Sequence, residues 1–280
     1  MNILIGLIPA LFWGILPIWM RKLTGGSCLQ QLLGTSMGIV MTATALQVIF
    51  RFNISAHDFG LYFISGAFWS IGQCGQYWGY GQLGVSLTMP LSTAFQIIGN
   101  SLIGGWLFGE WRGIQDTALG LGALMIIVVG VANGVGGLTV KNLRGYLLLL
   151  ATTFGYWGYS GFPHYANSTS GINGFLPQAL GMLSTSLILY LVGRHRLPGN
   201  DPAGLRNITS GLIFSVSSSV YLISLQLNGL VNAFVLTQLN VVVATLLGIV
   251  ILKEADPKRT LTTSAGLGIL IAGAVVMVQI

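Results

Sequence analysis

Charge is what this chain has least of. Only 6% of its 280 residues are Asp, Glu, Lys or Arg, against roughly 25% in an ordinary soluble domain. So few charges cannot clothe a water-facing surface, and the surface must face lipid. Cysteine is nearly missing too: Cys28 and Cys74 form neither a metal-ligand spacing nor a disulfide framework. The three histidines, His57, His164 and His195, are scattered, so no metal and no cofactor are expected. No HExxH or P-loop occurs, and no paired carboxylates fall within an apolar run. That argues against an enzyme and against ATP-driven work by this chain alone. The first 20 residues lack the positive n-region of a cleaved signal peptide; Arg21 and Lys22 follow the apolar run instead. The alternation of a membrane β-barrel is missing as well.

What is present is apolar and small. The chain is 53% hydrophobic and has 40 glycines, and small residues let helices in a membrane approach closely. Gly34–Gly38, Gly75–Gly79 and Gly130–Gly134 are GxxxG spacings, although so many glycines produce such spacings by chance. A spanning helix needs about 20 mostly apolar residues. Ten such runs predict ten transmembrane helices, over 2–20, 28–50, 58–78, 84–108, 114–135, 143–161, 172–193, 204–224, 229–252 and 261–280. The expectation is an all-α membrane protein with short loops.

The basic residues are unevenly placed. Loops after odd-numbered spans hold Arg21, Lys22, Lys141, Arg144, Arg194, Arg196, Arg206, Lys253, Lys258 and Arg259, whereas even loops hold only Arg51 and Arg112. The positive-inside rule then puts the odd loops in the cytoplasm and both termini outside. The net charge of +6 orients the chain in a bilayer, and no nucleic-acid partner is expected.

The halves also repeat weakly. Laying Gln82–Glu110 over Gln226–Glu254 matches Gln82 with Gln226, Thr93 with Thr237, Gly104 with Gly248 and Glu110 with Glu254, and the same offset lays Trp13-Gly14 over Trp157-Gly158. Five spans in each half predict two inverted repeats, residues 1–136 and 137–280, with a solute site near the midplane between them.

Against this apolar background the stretch Phe68–Gln82, FWSIGQCGQYWGYGQ, is rich in uncharged hydrogen-bonding groups. Trp69, Gln73 and Gln76 are spaced by four and three and share a helix face. The amides either glue helices together or line a wet cavity for a neutral polar solute. The fourth span carries Thr88, Ser92, Gln96 and Asn100 at spacings of four, with Pro90 near its start freeing a backbone carbonyl. The ninth span repeats the stripe with Thr237, Gln238, Asn240 and Thr245, and Asn240 falls opposite Gln96. Trp13 and Trp157 read either as anchors or as indoles that stack on a sugar ring. Glu110 and Glu254, ending the fourth and ninth spans, read as hydrated loop charges, as gates at each mouth, or as proton sites. No ionisable side chain falls clearly mid-span, which weighs against a proton site within the spans.

Four segments carry a resemblance to a known family. PALFWG at Pro9–Gly14, FWSIGQCGQ at Phe68–Gln76, GVSLTMPLSTAFQIIGNSLIGGWLFGEW at Gly84–Trp111 and LTQLNVVVATLLGIVILKE at Leu236–Glu254 resemble the bacterial glucose/ribose porters of the drug/metabolite transporter superfamily. The resemblance implies uptake of a monosaccharide, glucose first and ribose second, across the cytoplasmic membrane with protons. On that reading Gln73, Gln76, Gln96, Asn100 and Asn240 bond sugar hydroxyls, Trp13 and Trp157 enclose the ring, and Pro90, Glu110 and Glu254 serve gating or coupling. The chain departs from the family pattern in a short linker, Gly136–Leu143, and in LKEAD where relatives read LGE. An exporter of amino acids or other metabolites and an uncoupled sugar facilitator are the alternatives. The oligomeric state is open between monomer and homodimer.

Overall fold

The computed structural model describes residues 2–134, 143–168, 171–194, 203–254, 257–277 and 280. Most of the linker between the halves, with Lys141, and the loop carrying His195 and Arg196 lie outside the described residues. The structure is all-helical: α1 (Ile3–Trp19), α2 (Cys28–Phe50), α3 (Ala56–Gln82), α4 (Val85–Leu102), α5 (Ile114–Gly134), α6 (Leu143–Gly161), α7 (Phe175–Gly193), the short α8 (Ala203–Arg206), α9 (Ile208–Gln238), α10 (Asn240–Leu252) and α11 (Pro257–Met277). Five stretches among the described residues are long and apolar enough to cross a bilayer: Ile3–Thr24, Cys28–Phe50, Ile114–Asn133, Gly171–Gly193 and Ala203–Leu252.

The last of these runs for 50 residues, and its interior is where the helices depart most from the expected spans. A loop is expected between residues 224 and 229. Instead α9 runs through, broken only by a kink at Gly229, whose φ of 77° and ψ of 171° are non-helical. A side chain there would be strained, and glycine permits the sharp break without a loop. A second break at Leu239 separates α9 from α10. In the first half α4 passes instead into a wide π-helical turn, Ile103–Leu107. α3 is longer than expected because Ser55 caps its first turn, accepting from the Asp58 N–H at 3.0 Å. His57, expected in a loop, therefore sits in that first turn.

The principal packing pairs are α3 with α6 and α7, α9 with α1 and α2, α1 with α10, α4 with α6, α2 with α7, α4 with α10 and α5 with α11. Exchanging α1 with α6, α2 with α7, α3 with α9, α4 with α10 and α5 with α11 maps this set onto itself, with α2–α7, α4–α10 and α5–α11 each returning to itself. Glycine sets the closest approaches. A methyl on Gly66 would overlap the Gln178 carbonyl, and one on Gly181 would overlap that of Phe63, so α3 and α7 meet backbone to backbone. The GxxxG glycines pack too: Gly34 and Gly38 lie against Gly204, Asn207 and Gly211, and Gly130 lies against Gly266 and Leu270.

Contacts between helix ends sort the bundle into two poles. At one pole Thr24 donates to Asn207, Leu83 lies beside Gly145, Leu29 beside Gly193, and Glu254 reaches Val85. Arg21, Lys22, Arg144, Arg194, Arg206 and Lys253 therefore gather there. At the other pole Asn2 meets Asn228, Asn167 meets Asp58 and Glu110 reaches Leu230, with Arg51 and Arg112 at that end. Between the poles the usual order is inverted. Leu11 (50%), Met125 (66%) and Phe154 (44%) are exposed, while Gln73, Gln76, Ser92 and Gln238 are buried. Such a chain buries its apolar surface in lipid: it is a multi-pass membrane protein.

Candidate functional site

Trp69, Gln73, Gln76 and Tyr80 recur along α3 at intervals of four, three and four residues, and all four line a central cavity. Met89 and Gln96 of α4, Tyr156 and Tyr159 of α6, Trp13 of α1, Phe214, Phe234 and Gln238 of α9 and Asn240 at the start of α10 join them. Among the described residues, none that lines the cavity is Asp, Glu, Lys, Arg or His.

One wall, from α3, α4 and α6, is already bonded to itself. Gln73 Nε2 donates to Gln76 Oε1 at 3.1 Å. The Tyr156 hydroxyl lies 2.9 Å from both Gln73 Oε1 and Gln76 Oε1. Gln76 Nε2 donates to Ser92 Oγ at 3.1 Å and, more weakly, to the Met89 sulfur at 3.6 Å. Gln96 Nε2 completes the net by donating to Ser92 Oγ at 2.8 Å. The other wall, from α1, α9 and α10, is different. Trp13 Nε1, Gln238 Oε1 and Asn240 Oδ1 are buried with no hydrogen-bond partner. An unpaired buried donor or acceptor costs about 1–3 kcal/mol, a cost that a solute offering hydroxyls removes. Trp13 is held for this by Phe214 and Tyr221, with ring centroids 5.5 and 5.7 Å away.

The remaining sequence candidates lie elsewhere. Asn100 is buried but outside the cavity lining, and both its amide atoms lack partners. Steps of four residues turn about 40° per step around a helix, so a stripe that starts at Ser92 has turned about 80° by Asn100. Trp157 packs over Gly99 and donates from Nε1 to the Phe95 carbonyl at 3.1 Å. Its neighbour Tyr156 and Tyr159 are the α6 aromatics that meet the cavity. Pro90 is buried in the first half of α4.

Glu110 and Glu254 form matching constructions at opposite poles. The Glu110 carboxylate accepts from the backbone N–H groups of Leu230 and Val231, each at 2.9 Å. The Glu254 carboxylate accepts from Val85 at 3.0 Å and Ser86 at 2.7 Å. Each follows a left-handed residue, Gly109 (φ 69°) or Lys253 (φ 55°), and each capped segment follows a glycine of positive φ, Gly84 (84°) or Gly229 (77°). A carboxylate at a helix start pairs with the orphan N–H groups and the positive end of the helix dipole. Each half thus caps the other's helix. Among the described residues the one acid–base pair within salt-bridge distance is His57–Asp58, and neither glutamate has such a partner among them.

The sequence pattern under-reads Tyr80 and Gln238. Tyr80 continues the spacing of Trp69, Gln73 and Gln76 by one more turn. Gln238 stands in the ninth-span stripe, but the break at Leu239 decides which of its neighbours turns inward.

Membrane-crossing helices around a buried polar cavity are the build of a transporter for a small solute. The family comparison agrees. The model of the sugar transport protein family matches residues 4–280, and the chain belongs to that family, whose members are transporters and not enzymes. A Lactobacillus helveticus protein named for sugar uptake is 39% identical over 99% of this chain and 100% of its own length. A Latilactobacillus sakei protein named for ribose uptake is 38% identical over 98% and 97%. The glucose uptake protein GlcU of Bacillus subtilis is 37% identical over 98% and 97%. A crystal structure of another protein, 19% identical, superimposes with a TM-score of 0.69 over 98% of this chain and 97% of that one, a likeness of fold alone.

Proposed function

We propose that the protein takes up a monosaccharide, glucose first and ribose second, by alternating access of two inverted five-helix halves around the central cavity. The observation that carries this is the cavity's chemistry: uncharged amides and aromatic rings, with Trp13 Nε1, Gln238 Oε1 and Asn240 Oδ1 unpaired. A sugar hydroxyl both donates and accepts, so it meets an indole N–H and amide oxygens alike, while the ring's C–H face suits the flat surfaces of Trp13 and Trp69. Relatives named for glucose, ribose and sugar uptake point the same way. The exchange of packing pairs between halves and the crossed glutamate caps support the repeat, and hence ten spans. The pole holding Arg21, Arg144, Arg194 and Arg206 is cytoplasmic on this reading, and both termini are outside. Glu110 and Glu254 act as latches that fix the capped segments of the opposite half.

Proton coupling is the first reading of the driving force. An uncoupled facilitator is the second, favoured by the lack of any ionisable acid or base in the cavity lining apart from tyrosine. Radiolabelled glucose uptake into proteoliposomes, with and without an inward proton gradient and with ribose as competitor, tests both. Accumulation that needs the gradient supports the symporter. Uptake that only equilibrates supports the facilitator. No sugar flux in folded protein overturns the substrate.

A further inference from the structure

A second cavity lies beside the first, at the pole of Arg21. It is lined by Arg21 and Ser27 of the α1–α2 connection, by Cys28 and Gln31 in the first turn of α2, and by the last turns of α3. One side chain belongs to both linings: Tyr80. It is 3% exposed, and its ring is all that is common to the central cavity and this vestibule. What holds it is slight. The Tyr80 hydroxyl donates to the Met89 sulfur at 3.1 Å, a weak acceptor on a flexible side chain, and its ring leans on Tyr77 with centroids 5.8 Å apart.

The opposite side of the central cavity is closed more firmly. Tyr159 and Tyr221 stack with centroids 5.9 Å apart, cross-linking α6 to α9. Each hydroxyl reaches a serine on the partner helix: Tyr221 donates to Ser160 Oγ at 3.1 Å, and Tyr159 lies 3.4 Å from Ser218 Oγ. All four residues are buried. The two closures are unequal, a stacked and doubly bonded pair on one side and a single ring on a sulfur on the other.

From this we infer that Tyr80 is the gate between the central site and the Arg21-side vestibule, and that rotation of its ring off Met89 opens the path by which solute leaves the cavity. This rests on the transporter reading above but not on the identity of the solute. Polar groups of Ser27 and Gln31 lie on the far side of the ring, in the vestibule.

The test is thiol accessibility of the cavity in the full-length protein in membrane vesicles. In a Cys28→Ser/Cys74→Ser background, Asn240→Cys reports the cavity, and labelling by a charged membrane-impermeant methanethiosulfonate is followed from each face. Arg21→Cys identifies the face that bears the vestibule. From that face Tyr80→Ala raises the labelling rate of the cavity cysteine about tenfold, by removing the closed state. Tyr80→Phe and Met89→Leu, which keep the bulk and delete the sulfur contact, raise it by a smaller factor, and Tyr159→Ala leaves it unchanged from that face. An unchanged rate in both Tyr80→Phe and Tyr80→Ala, or a larger rise from the opposite face, overturns the assignment. Should Tyr80→Ala fail to fold, Tyr80→Phe and Met89→Leu decide alone. Because no sugar is needed, a wrong substrate leaves the result standing.

Discussion

On one wall of the cavity, Gln73, Gln76, Gln96 and Tyr156 bond to one another and to Ser92; on the other, Trp13, Gln238 and Asn240 each leave a buried polar atom unpaired. The residue types are alike, amides and aromatics, but their energetic roles differ. The bonded wall makes its hydrogen bonds without a solute, apart from Gln96 Oε1, so its amides stabilise the fold and hold the shape of the site. The unpaired wall carries its desolvation cost until a ligand arrives, so its amides contribute little to folding and much to binding. Binding sites keep such atoms at the expense of stability, and in the cavity lining they are confined to α1, α9 and α10.

The two glutamate caps support one wall each. Glu254 fixes the start of α4, which carries Ser92 and Gln96, and Glu110 fixes the segment after Gly229 that carries Gln238. Replacing either with alanine deletes two charge-assisted bonds and is expected to cost about 3 kcal/mol of stability. Equal losses in thermal unfolding would show that the walls differ only in their side chains. A loss at one glutamate alone would break the equivalence of the halves. Next, Gln76→Ala removes the centre of the bonded net and is expected to cost about 2 kcal/mol, measured the same way. Gln238→Leu is the counterpart. It deletes an unpaired acceptor at the loss of one long bond, 3.3 Å from Nε2 to Thr237 Oγ1, and the relieved penalty outweighs that bond, so stability holds or rises, while sugar affinity in a binding assay falls about tenfold or more. Smallest is Lys253→Gly, which relieves a left-handed lysine and is expected to gain up to about 1 kcal/mol with uptake unchanged.

That last site also shows what the sequence made legible. The departure LKEAD from LGE can be seen in the letters alone, but its meaning needs the backbone: the residue before each glutamate has positive φ, met by Gly109 in one half and Lys253 in the other. The lipid-facing class and the α3 face bearing Gln73 and Gln76 follow from composition and spacing, because both are local. The repeat alignment paired Glu110 with Glu254, and the two do share one geometry. What spacing does not carry is the local twist of irregular segments. The break at Leu239 shifts the register, so Gln238 and Asn240, only two residues apart, both line the cavity. Asn100 and Trp157 belong to the right helices but face away, as steps of four along α4 and a neighbour of Tyr156 on α6 must.

The most direct test of the account is sugar-dependent thermal stabilisation of purified wild type, Gln76→Ala and Gln238→Leu, with glucose and ribose as titrants. A ligand that binds only the folded protein raises its melting temperature as concentration increases. The account predicts stabilisation of wild type, and a Gln238→Leu protein that melts no lower than wild type yet responds weakly to sugar. Gln238→Leu responding to sugar as strongly as wild type would contradict it.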